Sequence, residues 1–253
     1  MSRTYVSVEQ AIAMPGLRIA FSRDVFGPWS EAVRAIYDIK CIDYVAVEQL
    51  PGQPNEALQA WTGQSSAPVA MLDDDRPRVN WHEMLVLAEQ LAPVPQLIPA
   101  SEDERALMFG LCHALASDDG FGWAIRELLF ERIAPSDQAT RARMRRKFQN
   151  RVGADHSIAR VRSIMAMLAA RLEAQEQRGS GYLVGDALSA ADIYWTCFSN
   201  LVAAIPPEQC PMPEFYRELA RNAVRELGFG APEILIHHRD RILVDHFILP
   251  LRL

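Results

Sequence analysis

The chain reads as an α/β unit followed by an all-α unit, on three observations. Hydrophobic periodicity alternates between strand-like and helix-like runs up to about residue 91 and is almost purely helical afterwards. The change falls at APVPQLIPA, residues 92–100, where three prolines in nine positions forbid a continuous helix or a central strand. Beyond it, Ile158, Val161, Met165, Leu168 and Leu172 are spaced 3, 4, 3, 4, the stripe of a helix that buries one side. The expected organisation is therefore a first domain over residues 1–91, a linker at 92–100 and an all-helical second domain over 101–253.

Each element of the first domain has its own signal. Leu17–Phe21 is a short apolar run bounded by polar residues, a strand candidate. Trp29, Ala32, Val33 and Ile36 then recur at i, i+3, i+4 and i+7, one face of a helix. A second strand is expected over Ile42–Val47, and with only a helix between them the two strands should run parallel in a right-handed crossover. A helix over Asn55–Trp61 follows, then a hairpin: Pro68–Leu72 and Arg78–Trp81, joined by the polar DDDRP turn. Met84, Leu87, Ala88 and Leu91 give the closing helix its buried face. The order is βαβ-α-ββα.

Composition narrows the function classes. With 26 basic and 32 acidic residues the net charge is −6, which argues against a general affinity for nucleic acid or anionic membrane. No apolar run reaches the roughly 20 residues of a bilayer crossing, and the beginning of the chain has no basic-then-apolar leader, so a cytoplasmic location is expected. Cys41, Cys112, Cys197 and Cys210 lie far apart and form no CxxC pair, which favours free thiols. No metal-ligand spacing is present; His237, His238 and His246 near Asp240 and Asp245 read as surface histidines, and His113 on an apolar helix as a core one.

The most specific signal of the second domain is GYLVGDALSAADIYW, residues 181–195. Ser189 is placed to cap a helix, Asp192 stands at the third helical position where its carboxylate can reach back to the cap, and Leu188 and Ile193 can staple across the start. A GD-x-L-S-x-A-D run opening an apolar helix, in a helical half that follows a βαβ-α-ββα half with Ala67-Pro68 at a strand start, resembles the glutathione transferase superfamily. That resemblance extends from about Leu17 to about Leu227 and implies a thioredoxin-like N-terminal domain with an all-helical C-terminal domain.

It also implies a site. Pro68 would be a cis-proline, and the backbone of Ala67 would pair with the cysteinyl part of glutathione. Glu83 would bind the γ-glutamyl end, although the serine that commonly follows it is here Met84. FSRDVFGPWSEAVR, residues 21–34, is similar to a strand turning into the first helix, with Gly27 where many relatives carry the reactive cysteine or serine. A protein thiol nucleophile is thus absent, whereas conjugation needs only that the helix start stabilise glutathione's own thiolate. The N–H groups of Trp29 and Ser30 are placed for that, with the Ser30 hydroxyl as first candidate donor and the Ser22 hydroxyl as second.

Other features carry less. The basic run RARMRRK, residues 141–147, reads as a solvated helix face, and Phe121 and Trp123 as core or as the lining of an apolar substrate site. The apolar stretch Ile234–Leu249 must be covered, by the helical domain or across a subunit boundary. Two function classes follow. One is a transferase using glutathione as co-substrate, without a metal, on an apolar electrophilic small molecule, assembled as a homodimer; the alternative is a non-catalytic binding or regulatory protein on the same scaffold.

Overall fold

A computed structural model describes residues 4–133 and 153–253, with Gln138 and Ala142 between them. The five basic residues of the 141–147 run lie outside the described residues. The chain divides into two compact units, one of Met1–Gln96 with Pro207–Met212 and Phe247–Leu253, the other of Leu97–Pro206 with Pro213–His246.

The first unit is built on a three-stranded sheet of order β2-β1-β3. Strand β1 (Leu17–Ser22) is central, buried on both faces, and pairs in parallel with β2 (Val45–Gln49) and antiparallel with β3 (Val69–Leu72). The parallel pairing expected of the first crossover is present. Its connecting helix α2 (Pro28–Ile39) follows α1 (Val8–Ile12) and precedes α3 (Glu56–Thr62) and α4 (Trp81–Leu91). Helices α2 and α4 pack together, and the phenol of fully buried Tyr37 on α2 donates to the Met84 carbonyl of α4 at 3.0 Å. Lys40, just past the end of α2, donates to the carbonyls of Ala92 and Pro95, each at 2.6 Å, and lies 2.7 Å from the Glu89 carboxylate. One buried ammonium therefore fixes the path of the chain beyond α4.

Three local expectations shift. β2 starts at Val45 rather than Ile42, because Cys41 turns at φ 52° and the Ile42 N–H is held by the Tyr37 carbonyl, so residues 41–42 close the helix. The hairpin's second arm shrinks to a single bridge, Ala70 with Arg78, because Asn80 caps α4 and Glu83 reaches back to its N–H at 3.2 Å. Helix α1 was not anticipated. Its signal was the Ser7-x-x-Gln10 capping box, and Val6 ahead of it bridges Val47 at the edge of β2.

The second unit holds α5 (Glu102–Ala116), α6 (Phe121–Ile133), α7 (Ala154–Glu176), α8 (Ala190–Phe198), α9 (Glu214–Leu227) and α10 (Glu233–His246). The stripe read on α7 is buried at Val161, Met165, Leu168 and Leu172. α8 is buried on all sides, as a helix apolar around its whole circumference must be. Its Trp195 donates from Nε1 to the Leu235 carbonyl at 2.9 Å, and the ring meets Phe121 edge-on at 5.9 Å. The capping box at its start is present: the Asp192 carboxylate, fully buried, accepts from the Ser189 N–H at 2.9 Å, the Ser189 hydroxyl at 2.8 Å and the Leu183 N–H at 2.8 Å.

Two histidine readings are corrected. His238 is buried on α10 with Nε2 3.1 Å from an Asp192 oxygen and Nδ1 3.1 Å from the Gly181 carbonyl, because α10 lays that side against α8. His113 is exposed and meets the Ser117 hydroxyl at 2.9 Å, since the buried face of α5 passes through its neighbours Cys112 and Ala114. The apolar C-terminal stretch is largely covered: Leu235, Ile242 and Leu243 are buried, whereas Val244 and Ile248 remain 61% and 51% exposed.

Candidate functional site

The candidate site lies within the first unit, where β1 ends and α2 begins. Ser22 is the last residue of β1, and the chain turns through Asp24 at φ 57° to reach Gly27, the N-cap of α2. Pro28 occupies the first helical position, where its missing N–H costs nothing. Gly27 adopts φ −105° and ψ 109°, a backbone open to any residue, and no side chain caps the helix. A Cβ at Gly27 would lie 3.6 Å from both the Ser22 and the Ser30 hydroxyl oxygens, ordinary contact distances. The two candidate hydroxyls therefore flank one small space at the start of a 12-residue helix, the place where a partial positive charge attracts an anion.

Each hydroxyl has a different setting. Ser30 is buried, and its oxygen accepts weakly from the Ser22 N–H at 3.5 Å. The Ser22 hydroxyl lies 3.1 Å from Oε1 of Gln49, whose Nε2 donates to the Leu50 and Ser65 carbonyls at 3.2 and 3.3 Å. Gln49 was not singled out from the sequence. It stands opposite Ser22 in the β1–β2 register, so correct pairing of the strands was the signal that could have found it.

Trp29 is half-buried beside Pro28. Ala67 and Pro68, also half-buried, are joined by a cis peptide bond, as the resemblance implied, and lead into β3. Gln49 links this segment to the serines through the Ser65 carbonyl.

Glu83 is not brought to the serines by any hydrogen bond among the described residues. Its carboxylate accepts from the Val79 and Asn80 N–H groups at 3.2 Å and lies 2.5 Å from Nη1 of Arg76. Burial works to raise its pKa, but Arg76 and those N–H groups outweigh it and hold the carboxyl below its usual range. Met84 is buried, its side chain part of the core rather than of any surface at the start of α4.

A second unanticipated group adjoins Ser30. Glu31 and Arg34, one turn apart on α2, form a buried pair at 3.3 Å, with the guanidinium 4.2 Å above the Phe21 ring and donating to the Tyr5 hydroxyl at 2.7 Å. Burial pushes the Glu31 carboxyl up to about 7, with Arg34 opposing it. Among the described residues no group of three or more His, Cys, Asp or Glu side chains could hold a metal ion. No described helix is long and apolar enough to cross a membrane.

Residues 138–221 match the model of the family described as glutathione S-transferase, C-terminal domain. No curated protein sequence matches the chain. Among solved structures, a glutathione S-transferase from Methylobacillus flagellatus with GSH bound is similar over 90% of this chain and 94% of its own, at 16% identity and a TM-score of 0.64. A glutathione S-transferase domain-containing protein from Marinobacter aquaeolei is similar over 90% of this chain and 98% of its own, at 17% identity and a TM-score of 0.63. A glutathione transferase homolog from Sulfitobacter with bound glutathione covers 91% of this chain and all of its own at 17% identity and a TM-score of 0.53. At such identities the likeness establishes the fold. The chain therefore has the glutathione S-transferase fold, and residues 138–221 of its helical half match that family's C-terminal domain.

Proposed function

We propose that the chain is a glutathione-dependent transferase in which the nucleophile is glutathione's own thiol, held at the start of α2. The observation that carries this reading is the pair of serine hydroxyls at 3.6 Å around the unoccupied Cβ position of Gly27, on a helix N-terminus of this fold. A thiolate there gains from the helix dipole and from one charge-assisted hydrogen bond donated by Ser30. Both lower the thiol pKa from the roughly 8.5 of free cysteine and raise the fraction of reactive thiolate at neutral pH. In this reading Trp29 and the backbone of Ala67 beside Pro68 align the tripeptide, Glu83 meets the γ-glutamyl ammonium, and an apolar electrophile accepts the sulfur. We place the protein in the cytoplasm as a homodimer; the four free cysteines favour that location, and light scattering at twice the chain mass would test the assembly.

One observation favours a second reading, a non-catalytic binding protein. The Glu83 carboxylate is already engaged by Arg76 and two N–H groups, and Met84 turns into the core. Thermal-shift or calorimetric titration with millimolar glutathione separates the two. Binding at a hundredfold excess over Kd should add about 2.7 kcal/mol of stability. Binding together with turnover of a general electrophile supports the transferase. No shift and no turnover would establish the second reading.

A further inference from the structure

Gln49 controls what the two serines can offer a ligand. Its Nε2 faces two carbonyl oxygens, those of Leu50 and Ser65, and only an N–H₂ group can satisfy both. The end of the side chain turned to Ser22, 3.1 Å away, is therefore Oε1. An amide oxygen cannot donate, so the hydrogen of that contact comes from the Ser22 hydroxyl. With its hydrogen spent on Gln49, Ser22 presents lone pairs to the space beside Gly27. Ser30 is the complement: its oxygen accepts from the Ser22 N–H, and its own hydrogen has no acceptor among the described residues. The space is thus flanked by one acceptor and one donor, each 3.6 Å from the Gly27 Cβ position.

Building on the transferase reading, we infer that Gln49 is a positioning residue that holds Ser22 as a hydrogen-bond acceptor, leaving Ser30 as the single side-chain donor to the sulfur. The serines then act in opposite directions. A neutral thiol gives its hydrogen to Ser22 and accepts from Ser30; a thiolate, its proton released to solvent, keeps only the Ser30 bond. A hydrogen bond made to the neutral form raises a pKa and one made to the charged form lowers it. Ser22 therefore opposes ionisation and Ser30 favours it. Removing the Gln49 oxygen frees the Ser22 hydrogen to turn to the sulfur as a second donor, which reverses the effect of Ser22. Gln49 is almost fully buried, so no solvent shell takes over its role.

The test follows thiolate ultraviolet absorbance of protein-bound glutathione against pH, after calorimetry has established binding to the unaltered chain. Ser30→Ala should raise the bound thiol's pKa by about one unit. Ser22→Ala should lower it or leave it in place. Gln49→Leu should lower it by about one unit, a tenfold gain in the thiolate to thiol ratio, and the same substitution in a Ser22→Ala background should move it no further. Gln49→Met serves equally if the leucine variant does not fold by circular dichroism. Absence of glutathione binding to the unaltered chain sinks the transferase reading and this inference with it. Binding with a Gln49 variant whose thiol pKa is unchanged or raised, or with a Ser22→Ala pKa that rises, overturns the inference alone.

Discussion

Removing the Asp192 carboxylate should cost the second unit more than any other single truncation of a polar side chain described above. In Asp192→Ala the Leu183 and Ser189 N–H groups both lose their acceptor inside a fully buried region, and the His238 ring loses the oxygen 3.1 Å from its Nε2. Each orphaned buried donor, one on Leu183 and two on Ser189, costs about 1–3 kcal/mol. Because these costs overlap at one carboxylate, the expected loss is about 4 kcal/mol rather than their sum. That corresponds to a fall in Tm of roughly 8–16 °C for a chain of this size. Urea unfolding followed by circular dichroism measures it, with Asp186→Ala as the control, an exposed acid six residues earlier whose loss should stay within about 0.5 kcal/mol. A midpoint for Asp192→Ala equal to that of Asp186→Ala would refute the reasoning, since it would mean that the buried acceptor is replaced at no cost.

Gly27→Cys should fold with a stability change under about 1 kcal/mol, because the backbone there is unstrained and a Cβ meets only ordinary contacts, and the new thiol should form a mixed disulfide with oxidised glutathione detectable by intact mass. Glu31 has a folded-state pKa near 7 against an ordinary 4.5, so the folded chain retains a proton that the unfolded chain releases, and stability falls as pH rises from about 4.5 to 7. Glu31→Gln should remove that slope, worth up to roughly 3 kcal/mol, in urea midpoints compared at pH 5 and pH 8. An unchanged slope would remove Glu31 as its source. Lys40→Met should cost about 3 kcal/mol, since the Ala92 and Pro95 carbonyls lose a buried charged donor; a urea midpoint like that of the unaltered chain would show the clip to be dispensable.

What could be read in the chain before its structure was what local physics determines. The apolar runs of β1 and β3, the helix face of Trp29 to Ile36 and the stripe on α7 needed only periodicity, and all are present. The Ser189–Asp192 box needed only the spacing of two side chains. The same rule applied at Asn80 and Glu83 would have started α4 there instead of extending a strand through residues 78–81. Ile42 misled for the opposite reason: it is apolar and precedes a β-branched run, yet its N–H belongs to the turn that ends α2. Partners distant in sequence stayed hidden. Gln49 reaches Ser22 only through strand register, and His238 reaches Asp192 only when α10 packs on α8, so neither pairing has a signature along the chain.

Of the four cysteines, Cys112, Cys197 and Cys210 are buried and Cys41 alone is exposed, at the turn after α2. Burial raises the Cys112 thiol well above its ordinary range, and its sulfur rests against that of Met108 at 3.6 Å. A maleimide dye at neutral pH should consequently attach to one position per native chain and to three more only on denaturation. The protein thus carries its own handle for fluorescence, placed at the far end of the helix whose opening turn forms the proposed thiolate site, and movement of that helix can be followed without engineering a label site.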